Sequence, residues 1–153
     1  MPDSTECVTV RFRDGYNCCQ AVLTTLSARY GLPEDIALRL ATGFGGGMCR
    51  GGICGAVSGA VMLLGLAGGG GGPGQANLKA ETAARVKDFY GRFIERNGSI
   101  ICRDLIGVDP STPDGHAQAV QENRFATVCT RLVSDAVQLA QVIITESGLP
   151  ERP

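Results

Sequence analysis

Apolar residues recur at intervals of three and four positions along most of the chain, which places them on one face of a helix. The pattern alternates nowhere over a convincing strand length, and no internal repeat is present. It predicts a single all-α domain over residues 1–153, a helical bundle of about five to seven helices. The predicted helices cover residues 3–13, 18–31, 34–43, 53–66, 78–97, 100–107 and 125–146.

Cap and breaker residues set the expected ends of these helices. Asn17, Asn77 and Ser99 are predicted N-caps, because their side-chain oxygens can accept from the free N–H groups of a first turn. Gly98 is expected to stop the fifth helix. The segment VDPSTPDGHAQ, residues 108–118, is rich in proline and predicts an irregular loop before the last helix.

Three of the predicted helices have apolar faces that should be buried. The face of the third helix consists of Ile36, Leu40 and Ala41. The face of the fifth helix consists of Ala83, Val86, Phe89, Tyr90 and Phe93. The face of the last helix consists of Val128, Leu132, Ala136, Leu139 and Ile143.

A glycine-rich stretch divides the chain. Residues 43–74 hold fifteen of the twenty-two glycines, two of the seven cysteines and one charged residue, Arg50. Its first part, GFGGGMCRGG, predicts a Gly/Cys-rich loop that leads into a buried central helix. The apolar part of that helix, residues 53–67, is shorter than the roughly 18 residues that a membrane span needs, so no span is expected. Residues 68–76 are expected to be a flexible Gly-rich connector.

The size and charge of the chain limit the classes of function that it can have. The 153 residues are enough for one hydrophobic core without disulfides. Charged residues make up 19% of the chain and the net charge is −1, so neither nucleic acid nor an anionic membrane is an expected partner. The N-terminus lacks a basic segment followed by an apolar run, so we expect a cytoplasmic location. Cysteines in a reducing cytosol serve metal binding or redox chemistry more often than static cross-links.

Several cysteines fall at predicted helix starts, where the helix dipole favours the thiolate. Cys18 and Cys19 follow the Asn17 cap, and Cys102 lies in another first turn. Neighbouring residues point about 100° apart on a helix, so one of Cys18 and Cys19 should belong to the core. Cys129 lies near the start of the last helix.

Cys49 and Cys54 form a C-x4-C pair around Arg50 in the glycine-rich stretch. Gly46 and Gly47 would let backbone N–H groups approach a cluster or an anionic ligand, and Arg50 would lower the pKa of a nearby thiol. Another interpretation is structural, with the cysteines filling small holes and Gly55 and Gly59 allowing helices to cross closely. The spacing by itself leaves both open.

The single histidine, His116, is expected to be a solvated loop residue, although a Cys–His pair is an alternative. With one histidine, a Ser-His-Asp arrangement is unattractive. Cys7, near the terminus, is taken as incidental.

Four segments in order along the chain resemble the C_GCAxxG_C_C family of redox-active proteins. They are GYNCCQAVL (15–23), FGGGMCRGGICGAVSGAVMLLG (44–65), CRDLIGVDPST (102–112) and the late Cys129. The resemblance covers roughly residues 5 to 145. It implies that the family's four signature cysteines are Cys18, Cys54, Cys102 and Cys129. The central box reads Cys-Gly-Ala-Val-Ser-Gly where the family name spells Gly-Cys-Ala-x-x-Gly, so the thiol is displaced by one residue.

The resemblance also implies an all-α fold and a role in electron transfer or metal binding, which is inferred for the family largely from its cysteines. Similar domains accompany split-Soret cytochromes. This chain has no C-x-x-C-H motif, so covalent heme is not expected.

The leading hypothesis is a cytoplasmic redox or metal-binding protein with an unknown redox partner. Four converging cysteines would hold an iron–sulfur cluster such as [2Fe–2S], or zinc: Cys18, Cys54, Cys102 and Cys129. The loop and helix residues beside them would contact the cofactor: Gly46, Gly47, Arg50, Gly55 and Gly59. Without a metal, two cysteines could cycle as dithiol and disulfide, with Cys49 and Cys54 as the candidate catalytic pair.

A rival hypothesis is a non-enzymatic helical interaction module, homodimeric, with structural cysteines. In that case the GxxxG face of Gly55 and Gly59 and the glycine loop serve packing. A small-molecule enzyme is a third class, for which the sequence names no substrate.

Overall fold

The computed structural model describes residues 3–153 and confirms the all-α fold. Eight α-helices lie in this part of the chain, one more than the upper end of the expected number. They are α1 Ser4–Arg13, α2 Cys18–Leu26, α3 Glu34–Ala41, α4 Gly55–Gly68, α5 Ala76–Asn97, α6 Cys102–Ile106, α7 Pro113–Gln121 and α8 Thr130–Glu146. Short 3₁₀ turns follow α2 and α3, and a π-helical turn, Phe125–Cys129, leads directly into α8.

The extra helix is α7, where an irregular loop was expected. Pro113 occupies its first turn, where a missing N–H costs nothing, and the Thr112 side chain accepts from the Gly115 N–H at 3.1 Å. The same proline that suggested a loop therefore starts a helix. The prediction for residues 108–118 was wrong from residue 113 onward, and His116 is helical.

The predicted caps have mixed outcomes. Asn17 caps α2 in a full capping box: its side chain accepts from the Gln20 N–H at 2.9 Å, and the Gln20 side chain accepts from the Asn17 N–H at 3.0 Å. Gly98 ends α5 with a left-handed φ of 87°. The predictions for Asn77 and Ser99 were wrong, because α5 already begins at Ala76 and α6 begins only at Cys102.

The core lies where α2, α4 and α8 meet, with α1 packed on α8 and α5 on α4. The predicted buried central helix is α4, where Val57, Leu63 and Leu64 are completely buried and Val61 and Leu66 are half-buried. From α5, Phe89 and Phe93 stack at 5.7 Å between ring centroids and close the core. Each such side chain contributes about 1.5–3 kcal/mol on burial.

Most of the predicted α8 face is buried: Leu132, Ala136, Leu139 and Ile143, with Val128 half-buried. The prediction for α3 was wrong in part. Ile36 and Leu40 are 37% and 57% exposed, while Ala37 and Ala41 are buried. Small alanines allow α3 to pack closely on α2, and this turns the larger side chains toward solvent.

Within residues 3–153, one helix is long and apolar enough, by length and composition, to cross a membrane: the continuous stretch Phe125–Glu146. Half of its most apolar window is buried inside the protein. The central helix Gly55–Gly68 is apolar but shorter than a span.

The connector between α4 and α5 is not helical. It makes at least one ordered contact, because the Gly72 N–H donates to Gln75 Oε1 at 3.0 Å. The expected connector, residues 68–76, therefore corresponds to residues 69–75 between the two helix ends.

The glycine-to-glycine spacing in α4 serves packing within the chain. A Cβ on Gly59 would lie 3.0 Å from the Cys19 carbonyl oxygen and 3.0 Å from Val22 Cβ. A Cβ on Gly55 would lie 3.0 Å from the Cys19 backbone nitrogen. The GxxxG face is therefore covered by α2 and is not a free surface for a second copy.

Substitution of Gly59 by alanine tests this close approach. We expect Gly59→Ala to lower the free energy of unfolding by about 1–3 kcal/mol, because α2 has to move away. The matched control is Gly65→Ala in the same helix, where a Cβ would meet nothing within 4 Å. There alanine should stabilise by about 0.5–1 kcal/mol through helix propensity. Chemical denaturation measures both; equal effects of the two changes would contradict the packing role.

Candidate functional site

Four cysteines from four separate segments line one cavity of about 390 Å³. They are Cys18, Cys54, Cys102 and Cys129, the set implied by the family resemblance. We call this space the thiol cavity. The other residues that line it are Phe12, Gly15, Tyr16, Asn17, Gly46, Gly55, Ile106, His116, Phe125 and Leu132. Its walls are therefore apolar and aromatic apart from the sulfurs and a few polar groups.

The capping box of α2 positions the first thiol. Asn17 fixes the start of the helix, so Cys18 occupies the first helical position and reaches the cavity. Cys19 points elsewhere and is completely buried in the main core. The expectation that one of the two neighbours belongs to the core is confirmed.

A single antiparallel bridge between Ile53 and Ile101 positions the next two thiols. The Cys54 N–H donates to the Ile100 carbonyl at 2.8 Å, and the Cys102 N–H donates to the Gly52 carbonyl at 2.6 Å. Cys54 then occupies the N-cap position of α4, and Cys102 is the first residue of α6. The bridge therefore holds two helix N-termini, each with a cysteine, at one end of the bundle.

Gly47 makes this arrangement possible. Its φ is +66°, and a Cβ there would lie 2.5 Å from the Gly52 nitrogen and 2.8 Å from Cys102 Cβ. No side chain fits between these groups. Gly47 supports the site by close approach of the backbone, and it does not line the cavity.

Cys129 comes from the opposite side of the cavity, at the end of the π-helical turn before α8. It is 4% exposed. Its thiol forms a hydrogen-bonded pair with the Cys18 thiol. This hydrogen bond lowers the pKa of Cys129 and raises the pKa of Cys18 well above its ordinary value; burial and the nearby cysteines raise the pKa of Cys18 further. Cys129 is therefore the sulfur of this pair that ionises first.

The other two thiols are held neutral. Burial raises the pKa of Cys54 to about 11, although the backbone N–H groups of Ala56 and Val57 partly oppose this shift. Burial also raises the pKa of Cys102 to about 12, helped by the charges of neighbouring cysteines and Asp109. At neutral pH the cavity then holds protonated thiols around one more acidic sulfur. No disulfide joins any two of the four cysteines.

Cys49 does not line the cavity. It is exposed, its φ is +57°, and its thiol donates to the Gly43 carbonyl at 3.7 Å. Arg50 beside it is also exposed. The arrangement therefore gives no support to the predicted catalytic pair of Cys49 and Cys54, because Cys49 lies outside the cavity that Cys54 lines.

The glycines expected to contact a cofactor divide into two groups. Gly46 and Gly55 line the thiol cavity, and Gly46 has a left-handed φ of +61°. Gly47 and Gly59 are buried and act in packing. Backbone groups thus reach the cavity at two of the four predicted positions.

His116 was expected in a solvated loop, yet it lines the thiol cavity from α7. It remains exposed on one side, and its ring lies 5.6 Å from the Phe125 ring, centroid to centroid. The signal that could have placed it is the Thr112–Pro113 pair, a cap residue followed by proline at a helix start. That signature puts His116 in a first turn.

The four thiols fit the donor chemistry of a soft metal site, because thiolates suit zinc and iron–sulfur clusters. No group of three or more ligating side chains in residues 3–153 is arranged to hold a metal ion.

The fold and this cavity define an all-α protein with a site of four cysteines. The chain belongs to the C_GCAxxG_C_C family, since the model described as "Putative redox-active protein (C_GCAxxG_C_C)" matches residues 16–143. The resemblance seen in the sequence is thereby confirmed. Neither a curated protein nor a solved structure matches the chain.

Proposed function

We propose that this protein is a cysteine-based redox protein whose reactive centre is the thiol cavity. The observation that carries the proposal is the convergence of four cysteines on one cavity, two of them in direct hydrogen-bonding contact. The family's redox description supports it. Because such thiols stay reduced in the cytosol, we also propose a cytoplasmic location.

The contact between Cys18 and Cys129 favours a dithiol–disulfide couple. The Cys129 thiolate attacks one sulfur of a disulfide R–S–S–R, which forms a Cys129–S–R bond and releases R–S⁻. Cys18 then loses its proton and attacks Cys129 Sγ; this forms the Cys18–Cys129 disulfide and releases the second R–S⁻. The two leaving thiolates take up protons, and two electrons pass from the protein to the substrate.

Counting thiols through repeated oxidation and reduction tests the couple. The protein, reduced with dithiothreitol and freed of it, is treated with a stoichiometric disulfide and then reduced again. We expect two thiols per chain to disappear and return in each cycle. A thiol count that stays constant, or a loss that reduction does not reverse, would overturn the redox proposal.

A second candidate function rests on the same four sulfurs. An iron–sulfur cluster or zinc would be held by Cys18, Cys54, Cys102 and Cys129. A cluster would supply one-electron transfer, and zinc would supply structural binding. An anaerobic visible spectrum of protein from iron-supplied cells would show sulfur-to-iron charge-transfer bands, absent in Cys54→Ala; a featureless spectrum would count against a stable cluster.

Metal affinity should depend steeply on pH. A metal displaces thiol protons, and burial keeps the pKa values of Cys54 and Cys102 near 11 and 12, so these thiols are protonated throughout pH 6–9. Affinity therefore falls as pH falls. With Cys18 as a third protonated thiol, we expect the apparent affinity for cobalt(II) to rise at least about a thousandfold per pH unit, a slope of about three or more. Titration by the cobalt–thiolate absorption measures it, and a slope near zero would exclude binding by these sulfurs.

The homodimeric interaction module remains the rival function, but α2 covers its expected GxxxG contact surface. A dimer would need another face. Light scattering of the Cys54→Ala variant separates the two functions, because an interaction module keeps its oligomeric state and partner binding when the thiols are removed.

A further inference from the structure

A second depression lies beside the thiol cavity. We call it the Phe12–Phe125 groove; its volume is about 490 Å³, within the usual range of small-molecule sites. It is lined by Phe12, Arg13, Ala119, Val120, Asn123, Phe125, Ala126 and Thr130. It shares two aromatic walls, Phe12 and Phe125, with the thiol cavity.

The turn before α8 connects the two spaces. Phe125 and Cys129, four residues apart, line the cavity, while Ala126 and Thr130, also four residues apart, line the groove. Residues four positions apart lie on one face of a helical turn. The groove therefore runs along the strip next to Cys129.

The groove has one charged lining residue, and it is positive. Arg13 is exposed at the end of α1, and no carboxylate in residues 3–153 forms an ion pair with it. The acidic residue next in sequence, Asp14, lines a different cleft together with Glu6 and Glu34. Asn123 and Thr130 add neutral hydrogen-bonding groups, and the rest of the lining is apolar.

From this placement we infer that the Phe12–Phe125 groove binds the substrate of the thiol couple, and that this substrate is a small organic disulfide carrying a carboxylate. The carboxylate pairs with Arg13, the organic part lies on Phe12 and Val120, and the sulfur–sulfur bond passes Phe125 to reach Cys129 Sγ. The inference rests on the proposed redox function and adds the substrate class. The electron balance is that of the exchange described above.

Two aromatic disulfides of different charge test it: dithiobis(nitrobenzoate), which is anionic, and 4,4′-dithiodipyridine, which is neutral. The rate of Cys18–Cys129 disulfide formation is followed with each probe by stopped flow, and the product is identified by peptide mass mapping so that reaction at Cys7 or Cys49 is not counted. In Arg13→Gln the rate with the anionic probe should fall about three- to tenfold, with the neutral probe unchanged. Added salt should reduce the difference.

Arg39→Gln is the matched control, because Arg39 is an exposed arginine on α3 that lines neither space. It removes the same charge and should leave both rates unchanged. The groove is not the substrate site if both variants change the rate with the anionic probe equally. The same conclusion follows if Arg13→Gln reacts with that probe as fast as the unchanged protein. Absence of the Cys18–Cys129 disulfide with both probes would instead overturn the redox function itself.

Discussion

A Cys129→Ser variant is expected to lose the reversible disappearance of two thiols per chain. Serine keeps the shape of the side chain but cannot form the mixed disulfide, so exchange at the cavity should slow on the order of a hundredfold or more. The remaining partner, Cys18, loses the sulfur with which it would form a disulfide, while its burial still opposes ionisation. Thiol counting through oxidation and reduction measures the change, and circular dichroism verifies that the fold is retained.

Cys49→Ser is the control for this experiment, since Cys49 is exposed and lies outside the cavity. It should keep the full two-thiol cycle. If Cys129→Ser keeps the thiol cycle and Cys49→Ser loses it, the redox couple lies in the glycine loop. That result would contradict the present assignment.

A Gly47→Ala change is expected to have the largest effect on stability. The position needs a φ of +66°, and the new Cβ would press on the Gly52 backbone at 2.5 Å and on Cys102 Cβ at 2.8 Å. We expect the free energy of unfolding to fall by about 2–4 kcal/mol from the combined strain and overlap. Urea denaturation measures it. The overlap with Cys102 should also disturb the position of that thiol.

The neighbouring glycine separates strain from overlap. Gly46 has a similar φ of +61°, but a Cβ there would meet nothing within 4 Å. Gly46→Ala should therefore cost only about 1 kcal/mol, the backbone term alone. If both alanine variants lose the same stability, close approach at Gly47 does not shape the site.

Helical periodicity was sufficient to predict most of the fold, because a helix is specified by local spacing. The long pattern ending at Glu146 and the Asn17 cap needed no tertiary information. The face of α3 was wrong for a different reason: its apolar residues are large, yet its close contact with α2 selects the alanines Ala37 and Ala41. Packing distance between helices cannot be read from one helix alone.

The sequence was sufficient to predict which cysteines form the site, but less so to predict how they are arranged in space. The resemblance pointed to four cysteines, and the structure places all four on one cavity. The contact between Cys18 and Cys129 joins residues more than a hundred positions apart and depends on how α1, α2 and α8 pack. Sequence neighbours such as Cys49 and Cys54 were the more obvious pair, but the left-handed turn around Met48 and Cys49 leaves Cys49 exposed to solvent.

The central claim is that Cys18 and Cys129 form the redox couple of a shared thiol cavity, and peptide mapping tests it most directly. The protein is oxidised with a limiting amount of disulfide, free thiols are blocked, and tryptic peptides are analysed without reduction. Cys18 and Cys19 fall in one peptide, so the experiment is repeated on Cys19→Ala. We predict a cross-link between peptides 14–29 and 125–131 in both proteins. A cross-link that joins other cysteines, or none in the Cys19→Ala protein, would contradict this account.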